Sequence, residues 1–299
     1  IICLSVRAQM GVLYNADNQL PSSYVSCIYQ DHDGYIWIAT CDGLSRFDGY
    51  QFQIFNNHSE SCFHITNNYI NDIMQVHSGR FYIASNYGIQ YYDGGQFHDV
   101  MMSDARGKSF STFVSWIIQR HNGDILASTS GYGILKIINN RAIKLDHGIY
   151  HSIHYVNRIA EDHQQRLWIL TEDQGLLCVN HNRITHYFSG SGRTASVRDI
   201  CIDPHNNIYV VVRGQGLFKM CNNDNVFHHI AEVKANNLET IYMTRSGMIY
   251  LGTDGHGICV YNPFTHVVRD NPFFCWGMDL SKSKIQSVIE DCNGNLWIG

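Results

Sequence analysis

Charged residues are scarce in this sequence. Asp, Glu, Lys and Arg make up 16% of its 299 residues, and the formal net charge is -5. A nucleic-acid surface needs clustered Lys and Arg, so this composition argues against a nucleic-acid partner. Only 4 prolines are present, and no apolar run is long enough to span a membrane.

Catalytic and metal-binding motifs are also missing. The sequence has no HExxH, no GxSxG and no CxxC. Its 10 cysteines define no disulfide framework, and those inside predicted strands are expected to be small buried apolar residues. The closest group of histidines, His147, His151 and His154, lies in a connection, where solvated side chains are expected. The sequence therefore predicts no catalytic residue, no metal and no cofactor.

What is present is a repeat. Each copy contains an Asp/Gly turn, a strand with a bulky residue, a second turn ending in Gly, and another strand. The bulky position is occupied in turn by Trp37, Tyr82, Leu126, Trp168, Tyr209, Tyr250 and Trp297. The intervals are 41 to 47 residues. A period of this length with short strands is typical of a β-propeller blade. We predict an all-β propeller of four-stranded antiparallel blades, with six full repeats and the start of a seventh.

The two ends of the chain need separate interpretation. The seventh copy stops at Gly299, which suggests a fragment truncated within a seven-bladed propeller. Residues 10–299 form the predicted propeller domain. Within it, Met10–Tyr14 is a strand without a blade, so we expect it to supply an outer strand to the last blade. Residues 1–9 do not match the repeat, and their apolar run before Ala8 indicates the tail of a secretory signal.

The turns and strands of the repeat have structural explanations. Asp31 should cap its own turn, and Gly34 should take the positive φ of that turn. The bulky residue should pack between blades, which predicts that Trp37, Trp168 and Trp297 are buried. Copies two and three lack both the Asp and the Trp.

The motifs DHDGYIWIAT (residues 31–40) and DGLSRFDG (residues 42–49), after LPSSYV (residues 20–25), resemble the two-component regulator propeller repeat. The resemblance extends over residues 10–299. It implies the periplasmic sensor region of a hybrid histidine kinase that responds to oligosaccharides from polysaccharide breakdown. It also implies that a membrane tether and the kinase follow Gly299, and that a homodimer is possible. No kinase motif is present in the chain itself, so no enzyme activity is predicted for it.

A ligand site is expected where the loops between second and third strands meet. Residues just before the recurring Gly differ between copies, as expected where packing does not dictate the residue. The candidate ligand-binding residues are Asp42, Asn86, Tyr87, Tyr132, Asp173, Gln174, Arg213, Gln215, Asp254 and His256. Polar groups with interspersed Tyr suit a sugar, and Arg213 could bind the carboxylate of a uronic acid.

Two alternatives remain open at this point. The propeller could be a protein-interaction or dimerisation platform without a small ligand. It could also be a propeller enzyme such as a lyase, which would need paired acid and base groups. Fold alone does not choose among these functions.

Overall fold

The computed structural model describes residues 1–5, 10–17, 19–58, 64–104, 106–189, 195–273 and 279–299. These residues form 28 strands and one turn of 3-10 helix, Gly148–Tyr150. The strands are numbered along the chain, and the first two, β1 (Ile2–Ser5) and β2 (Met10–Leu13), belong to the last blade. The predicted all-β architecture of four-stranded antiparallel blades is confirmed.

The chain divides into two compact units, and residues 15–189 form the unit with blades one to four. Blade one is β3 (Val25–Gln30), β4 (Ile36–Thr40), β5 (Gly43–Phe47) and β6 (Phe52–Phe55). Blade two is β7 (Ile70–Gln75), β8 (Phe81–Ser85), β9 (Ile89–Asp93) and β10 (Gln96–Ser103). Blade three is β11 (Val114–Gln119), β12 (Ile125–Thr129), β13 (Gly133–Ile138) and β14 (Arg141–Lys144). Blade four is β15 (Val156–Glu161), β16 (Leu167–Thr171), β17 (Leu176–Asn180) and β18 (Arg183–Tyr187).

Residues 1–14 and 190–299 form the other unit, with blades five to seven. Blade five is β19 (Val197–Ile202), β20 (Ile208–Val212), β21 (Gly216–Met220) and β22 (His228–His229). Blade six is β23 (Leu238–Met243), β24 (Ile249–Thr253), β25 (Ile258–Asn262) and β26 (Val267–Asp270). Blade seven begins with β27 (Val288–Glu290) and β28 (Asn295–Ile298).

Blade seven is completed by the start of the chain. Its strand order is β2-β1-β28-β27, so β1 lies beside β28 and β2 is the outer strand. The prediction that Met10–Tyr14 supplies the outer strand is confirmed for Met10–Leu13. The place of Ile2–Ser5 as the adjoining strand was not anticipated, because these residues carry no repeat motif. Residues 6–9 of the predicted signal-peptide tail lie outside the described residues, and that tail stays a prediction about processing.

Blades two and three share one sheet. β10 pairs antiparallel with β9 up to Val100, then continues to Ser103 and pairs in parallel with β14. The extension buries Met102 against Ala142, and burial of apolar side chains favours it.

The second strand of a blade is its most buried element. All five residues are buried in β4, β8, β16 and β20. Side chains on both faces of such a strand are covered, which explains its continuous apolar sequence. The prediction for the three tryptophans is confirmed, since Trp37, Trp168 and Trp297 are 2%, 0% and 3% exposed.

The recurring Asp has a second function beyond capping its turn. Asp162 accepts the backbone N–H groups of Gln164 and Arg166, and its other oxygen accepts the indole N–H of Trp168 at 2.8 Å. Asp31 and Trp37 are joined in the same way at 2.7 Å. Asp291 and Trp297 are likewise joined, at 2.9 Å. Copies two and three lack both residues, whereas copy five keeps Asp203 and has Tyr209 at the position of the Trp.

Candidate functional site

The loops between second and third strands are held by a repeated hydrogen bond. The hydroxyl at the end of the second strand donates to the carbonyl of the Gly before or at the third strand, as in Thr171 to Gly175 at 2.8 Å and Thr253 to Gly257 at 2.8 Å. Gly175 has φ +75°, and an added Cβ would lie 2.7 Å from the carbonyl oxygen of Tyr187. The glycine is therefore required by the backbone, and the residues just before it are free to differ.

The candidate residues of blades one to four have varied environments. Asp42 accepts a hydrogen bond from Asn68 at 2.9 Å, and Asn86 accepts one from Asn71 at 3.1 Å. The Gln174 amide donates to the carbonyl of Ser152 at 2.9 Å, while Asp173 is exposed. These four side chains belong to the loops in which the sequence placed them.

Two tyrosines of this unit lie beside a cavity in blade two. The cavity has a volume of about 290 Å³ and is lined by Tyr87, Asp99 and Phe110 among others. Tyr132 stacks on Phe110 with ring centroids 3.9 Å apart and nearly parallel planes. Tyr87 is 68% exposed, whereas one face of Tyr132 is already covered by Phe110.

The sequence analysis missed a set of polar residues on the first strands. Each first strand of blades one to six contains a β-bulge, a register shift of one residue near its start. The residues at the shift are Ser26, Asn71, Ser115, Asn157, Arg198 and Glu239. A bulge turns its extra residue out of the regular ladder, and bulges often redirect a side chain towards a functional site. The signal was a polar residue directly after the first apolar residue of each copy.

The bulge residues of blades one to three each tie their blade to the next. Ser26 donates to the carbonyl of Ile70, and Asn71 donates to the carbonyl of Val114 at 2.8 Å. Ser115 donates to the carbonyl of Val156 at 2.9 Å. In each case the acceptor is the residue before the bulge of the neighbouring blade.

Blades five and six replace this link with charges. The guanidinium of Arg198 donates to Glu239 Oε2, with Nε at 2.9 Å. Glu239 also lies near Arg213, whose Nε is 3.8 Å from Oε1. Arg213 reaches Asp254 Oδ2 at 3.4 Å. Positive and negative side chains thus alternate along this row of contacts, with Arg198 and Glu239 on first strands and Arg213 and Asp254 in loops.

Two further candidates extend this group. Asn237 donates to the backbone carbonyl of Asp254, and its amide lies 2.7 Å from Nδ1 of His256. We call the residues Arg198, Arg213, Asn237, Glu239, Asp254 and His256 the blade-five/six cluster. The structure brings together three of the four candidates predicted in this unit. The fourth, Gln215, is exposed in the same loop as Arg213.

One atom of the cluster stands out. The side chain of Glu239 is 5% exposed, and its Oε1 is a buried oxygen without a hydrogen-bond donor in the described structure. A buried carboxylate oxygen left in this state costs free energy unless a donor reaches it. Arg213, with a side chain that is 52% exposed, is the neighbour that a ligand could contact together with Glu239.

A layer of buried polar residues underlies the bulges. Asp72, next to the bulge residue of blade two, is 2% exposed and accepts the backbone N–H of Ile117 at 2.8 Å. Burial raises the pKa of Asp72 to about 7, against the opposing effects of the Ile117 N–H and the charge of Arg158. Asp199 has the same place in blade five and accepts hydrogen bonds from Thr240 and Ile241.

A metal centre finds no support among the described residues, where no three His, Cys, Asp or Glu side chains are grouped to hold an ion. His151 Nδ1 instead donates to Asp146 Oδ1 at 2.9 Å, and this hydrogen bond lowers the pKa of Asp146. In the described part of the chain, no helix has the length and apolar character needed to cross a membrane.

Comparison with known proteins gives one family match and many structural ones. The model of the two-component regulator propeller family matches residues 19–42, which cover β3 and β4 of blade one. No curated protein matches the chain. The extracellular domain of a hybrid two-component system from B. thetaiotaomicron is similar, with a TM-score of 0.78 and 21% identity. The alignment covers 96% of this chain and 40% of that chain.

Two further structures have the same fold. A second B. thetaiotaomicron extracellular domain, described as part of a one-component system, has a TM-score of 0.75 at 16% identity, covering 97% of this chain and 42% of the other. Virginiamycin B lyase from Staphylococcus aureus has a TM-score of 0.63 at 12% identity, covering 92% and 91%. The likeness establishes the β-propeller fold. The chain spans about two fifths of the length of the two extracellular domains.

Proposed function

We propose that this chain is the extracytoplasmic, ligand-sensing propeller of a hybrid two-component regulator and that it binds an oligosaccharide at the blade-five/six cluster. The family match in blade one and the likeness to extracellular domains of two-component systems support the sensor assignment. Signalling would require a kinase elsewhere in the full-length protein, in the periplasmic arrangement that the family resemblance implies. The ligand would act through unequal affinity for two arrangements of the sensor.

The observation that carries the site is the buried Oε1 of Glu239 beside the exposed guanidinium of Arg213. A sugar hydroxyl can accept from the exposed guanidinium, and it can donate to Glu239 Oε1, which is closed to solvent in this structure, once the Arg213 side chain shifts aside. Asp254, beside Arg213, adds a carboxylate acceptor, and His256, beside Asn237, adds an imidazole ring. A site that presents both donors and acceptors suits a polyhydroxylated ligand.

The charge balance of the cluster bears on the kind of sugar. Two arginines face two carboxylates, so the formal charges of these four side chains cancel. A uronic acid could still pair with Arg213, but it would compete with Asp254 for the guanidinium. A neutral oligosaccharide avoids this competition, and both classes belong in the test.

The test is isothermal titration calorimetry with neutral and uronic oligosaccharides, with product analysis of the same samples. We expect binding without cleavage, and loss of that binding in Glu239→Gln, which keeps the shape but removes the charge. Arg183→Met removes an exposed arginine from the fourth strand of blade four and serves as the control. Cleaved products would favour a propeller lyase, and binding of a protein partner but no sugar would favour an interaction platform.

A further inference from the structure

A cleft with a volume of about 640 Å³ lies between blades one and two. It shares no residue with the blade-five/six cluster. It opens where the turns between first and second strands, such as Asp31–Tyr35, approach the turn after β9 at Asp93. This volume lies within the range of about 300–1,000 Å³ that is typical of small-molecule sites. All of its lining residues belong to the unit of residues 15–189.

The floor of the cleft is aromatic and rigid. Trp37 and Phe81 are in contact, with ring centroids 4.5 Å apart, and Tyr92 meets Trp37 edge-on at 5.7 Å. The indole N–H of Trp37 is fixed by Asp31 at 2.7 Å. Because these rings are packed between blades, the floor needs no rearrangement to receive a ligand.

An arginine in the wall is positioned but not neutralised. The guanidinium of Arg46 lies over the ring of Tyr35 at 4.7 Å and that of Trp37 at 5.6 Å. Its Nη2 donates to Gln53 at 2.7 Å. Within the described structure Arg46 forms no ion pair with a carboxylate. Stacking therefore orients a set of N–H donors that protein groups only partly use.

The opposite wall supplies acceptors and a second arginine. Arg80 donates to Asn140 at 2.6 Å and reaches Asp93 only at 3.5 Å. The side chain of Asp93 is 60% exposed, and Asp33 is exposed at the rim. Carboxylate oxygens and guanidinium donors thus face the same space.

The lining chemistry selects a class of ligand. The lining contains three aspartates and two arginines, so it has little net charge and gives no strong preference for an anion or a cation. Hydroxyl groups can use both the donors and the acceptors, and the C–H faces of sugar rings can pack against the tyrosines. We infer that this cleft is a second saccharide site and that it takes a neutral oligosaccharide. The choice of ligand class rests on the proposed function, whereas the site itself does not use the blade-five/six cluster.

The test uses Trp37 as a local reporter. The chain has 5 tryptophans, and labelling with fluorotryptophan gives each a resolved fluorine NMR signal that single Trp→Phe variants assign. The probes are cellotriose, maltotriose and mannotriose, with trigalacturonic acid as the acidic comparison. We expect at least one neutral trisaccharide to shift the Trp37 signal, with Trp168 unchanged, and trigalacturonic acid to shift it less.

Variants then connect the signal to the cleft. Arg46→Met keeps the aliphatic stem over Tyr35 and should weaken the Trp37 titration by about tenfold, equivalent to roughly 1.4 kcal/mol. Asp93→Asn tests the opposite wall should Arg46→Met fold poorly. Arg141→Met, an exposed arginine outside the cleft, should leave the titration unchanged.

The outcomes separate the two sites. No Trp37 shift with any neutral probe, or a shift that Arg46→Met and Asp93→Asn leave unchanged, overturns the inference. A Trp37 shift that persists in Glu239→Gln supports the cleft even where calorimetry finds no binding at the cluster. Loss of the Trp37 shift in Glu239→Gln would show that the signal comes from the cluster and would contradict a separate site.

Discussion

At the scale of single residues, the recurring Asp links a turn to the core between blades. In blade four the carboxylate of Asp162 holds two backbone N–H groups, the Trp168 indole and the side chain of Arg166. Asp203 caps the equivalent turn of blade five, where it accepts hydrogen bonds from the backbone and the side chain of Asn207, and Tyr209 stands at the position of the tryptophan. Asp162 and Asp203 are therefore a matched pair of positions at which the effect of removing the carboxylate can be compared.

We predict that Asp162→Ala destabilises the protein more than Asp203→Ala. Loss of Asp162 leaves the buried indole N–H and the guanidinium of Arg166 unpaired, which should cost about 3–5 kcal/mol. Loss of Asp203 removes hydrogen bonds from uncharged amide donors, with no arginine and no indole left behind, and should cost about 1–3 kcal/mol. Urea unfolding of both variants measures the difference. Equal losses would mean that the Asp–Trp hydrogen bond adds nothing to turn capping.

A second residue-scale prediction concerns Asp72. Burial raises its pKa to about 7, so between about pH 4 and 7 the folded protein holds a proton that the unfolded chain, with the ordinary Asp pKa near 3.8, has released. Folding stability should therefore fall as pH rises from about 4 to 7, by up to roughly 1.4 kcal/mol per unit. Asp72→Asn cannot ionise and can still accept the Ile117 N–H. Its free energy of unfolding, relative to the wild type, should rise between pH 5 and 8 by on the order of 3 kcal/mol.

The control for this prediction is Asp99→Asn, at an exposed position of β10. Its stability relative to the wild type should change little over the same pH range. A gap between Asp72→Asn and wild type that stays constant with pH would show that Asp72 ionises at its ordinary pKa in the folded protein.

Residue-scale features differed in how well the sequence predicted them. Burial of the tryptophans was predictable because one apolar residue recurs in each second strand. The indole-to-carboxylate hydrogen bond was missed, although Asp and Trp disappear together from copies two and three. In copies one, four and seven, where both residues are present, this hydrogen bond joins them.

At the scale of elements, blade seven depends on strands from both ends of the chain. β1 lies between β2 and β28, so its backbone groups complete the ladder of Trp297 and Ile298. Tyr14 stacks on Trp297 with ring centroids 6.1 Å apart. Without these two strands, β28 would be an exposed sheet edge.

We predict that deletion of residues 1–14 opens blade seven. Amide hydrogen exchange at Leu296–Ile298 should lose protection, because these residues would pair only with β27. Residues Ile208–Val212 of blade five form an internal control, since their neighbours β19 and β21 remain. Unchanged protection at Leu296–Ile298 after the deletion would contradict the pairing of β1 with β28.

The element scale also shows where sequence patterns lose information. The outer strand Met10–Leu13 was predictable as a strand without a blade. Ile2–Ser5 was not, because a strand in this position is recognised only by its partner near residue 297. The β-bulges were likewise not predicted. Each is marked by a polar residue in the sequence, but the register shift itself appears only when two strands are paired.

At the scale of the whole molecule, the fold was predictable and the site was only partly so. Period and strand pattern are local properties, and they recur seven times. The loop candidates Arg213, Asp254 and His256 were found from their position before a recurring Gly. Glu239, a partner of Arg213, lies on the first strand of the next blade, 26 residues after Arg213 in the sequence. Only the fold brings these residues together.

Ligand binding should raise the thermal stability of the whole chain. A ligand that binds only the folded state at a hundred times its Kd adds about 2.7 kcal/mol, which for a chain of this size corresponds to a rise in Tm of roughly 4 °C. We therefore expect an oligosaccharide identified by calorimetry to raise the Tm of the wild type and of Arg183→Met alike. Glu239→Gln should lose the part of the shift that comes from the blade-five/six cluster, because the carboxylamide cannot replace the charged acceptor beside Arg213. Differential scanning calorimetry across a ligand titration tests this. An equal rise in Glu239→Gln would place the binding energy outside the cluster, and the same titration of Arg46→Met would then show whether the cleft between blades one and two supplies it.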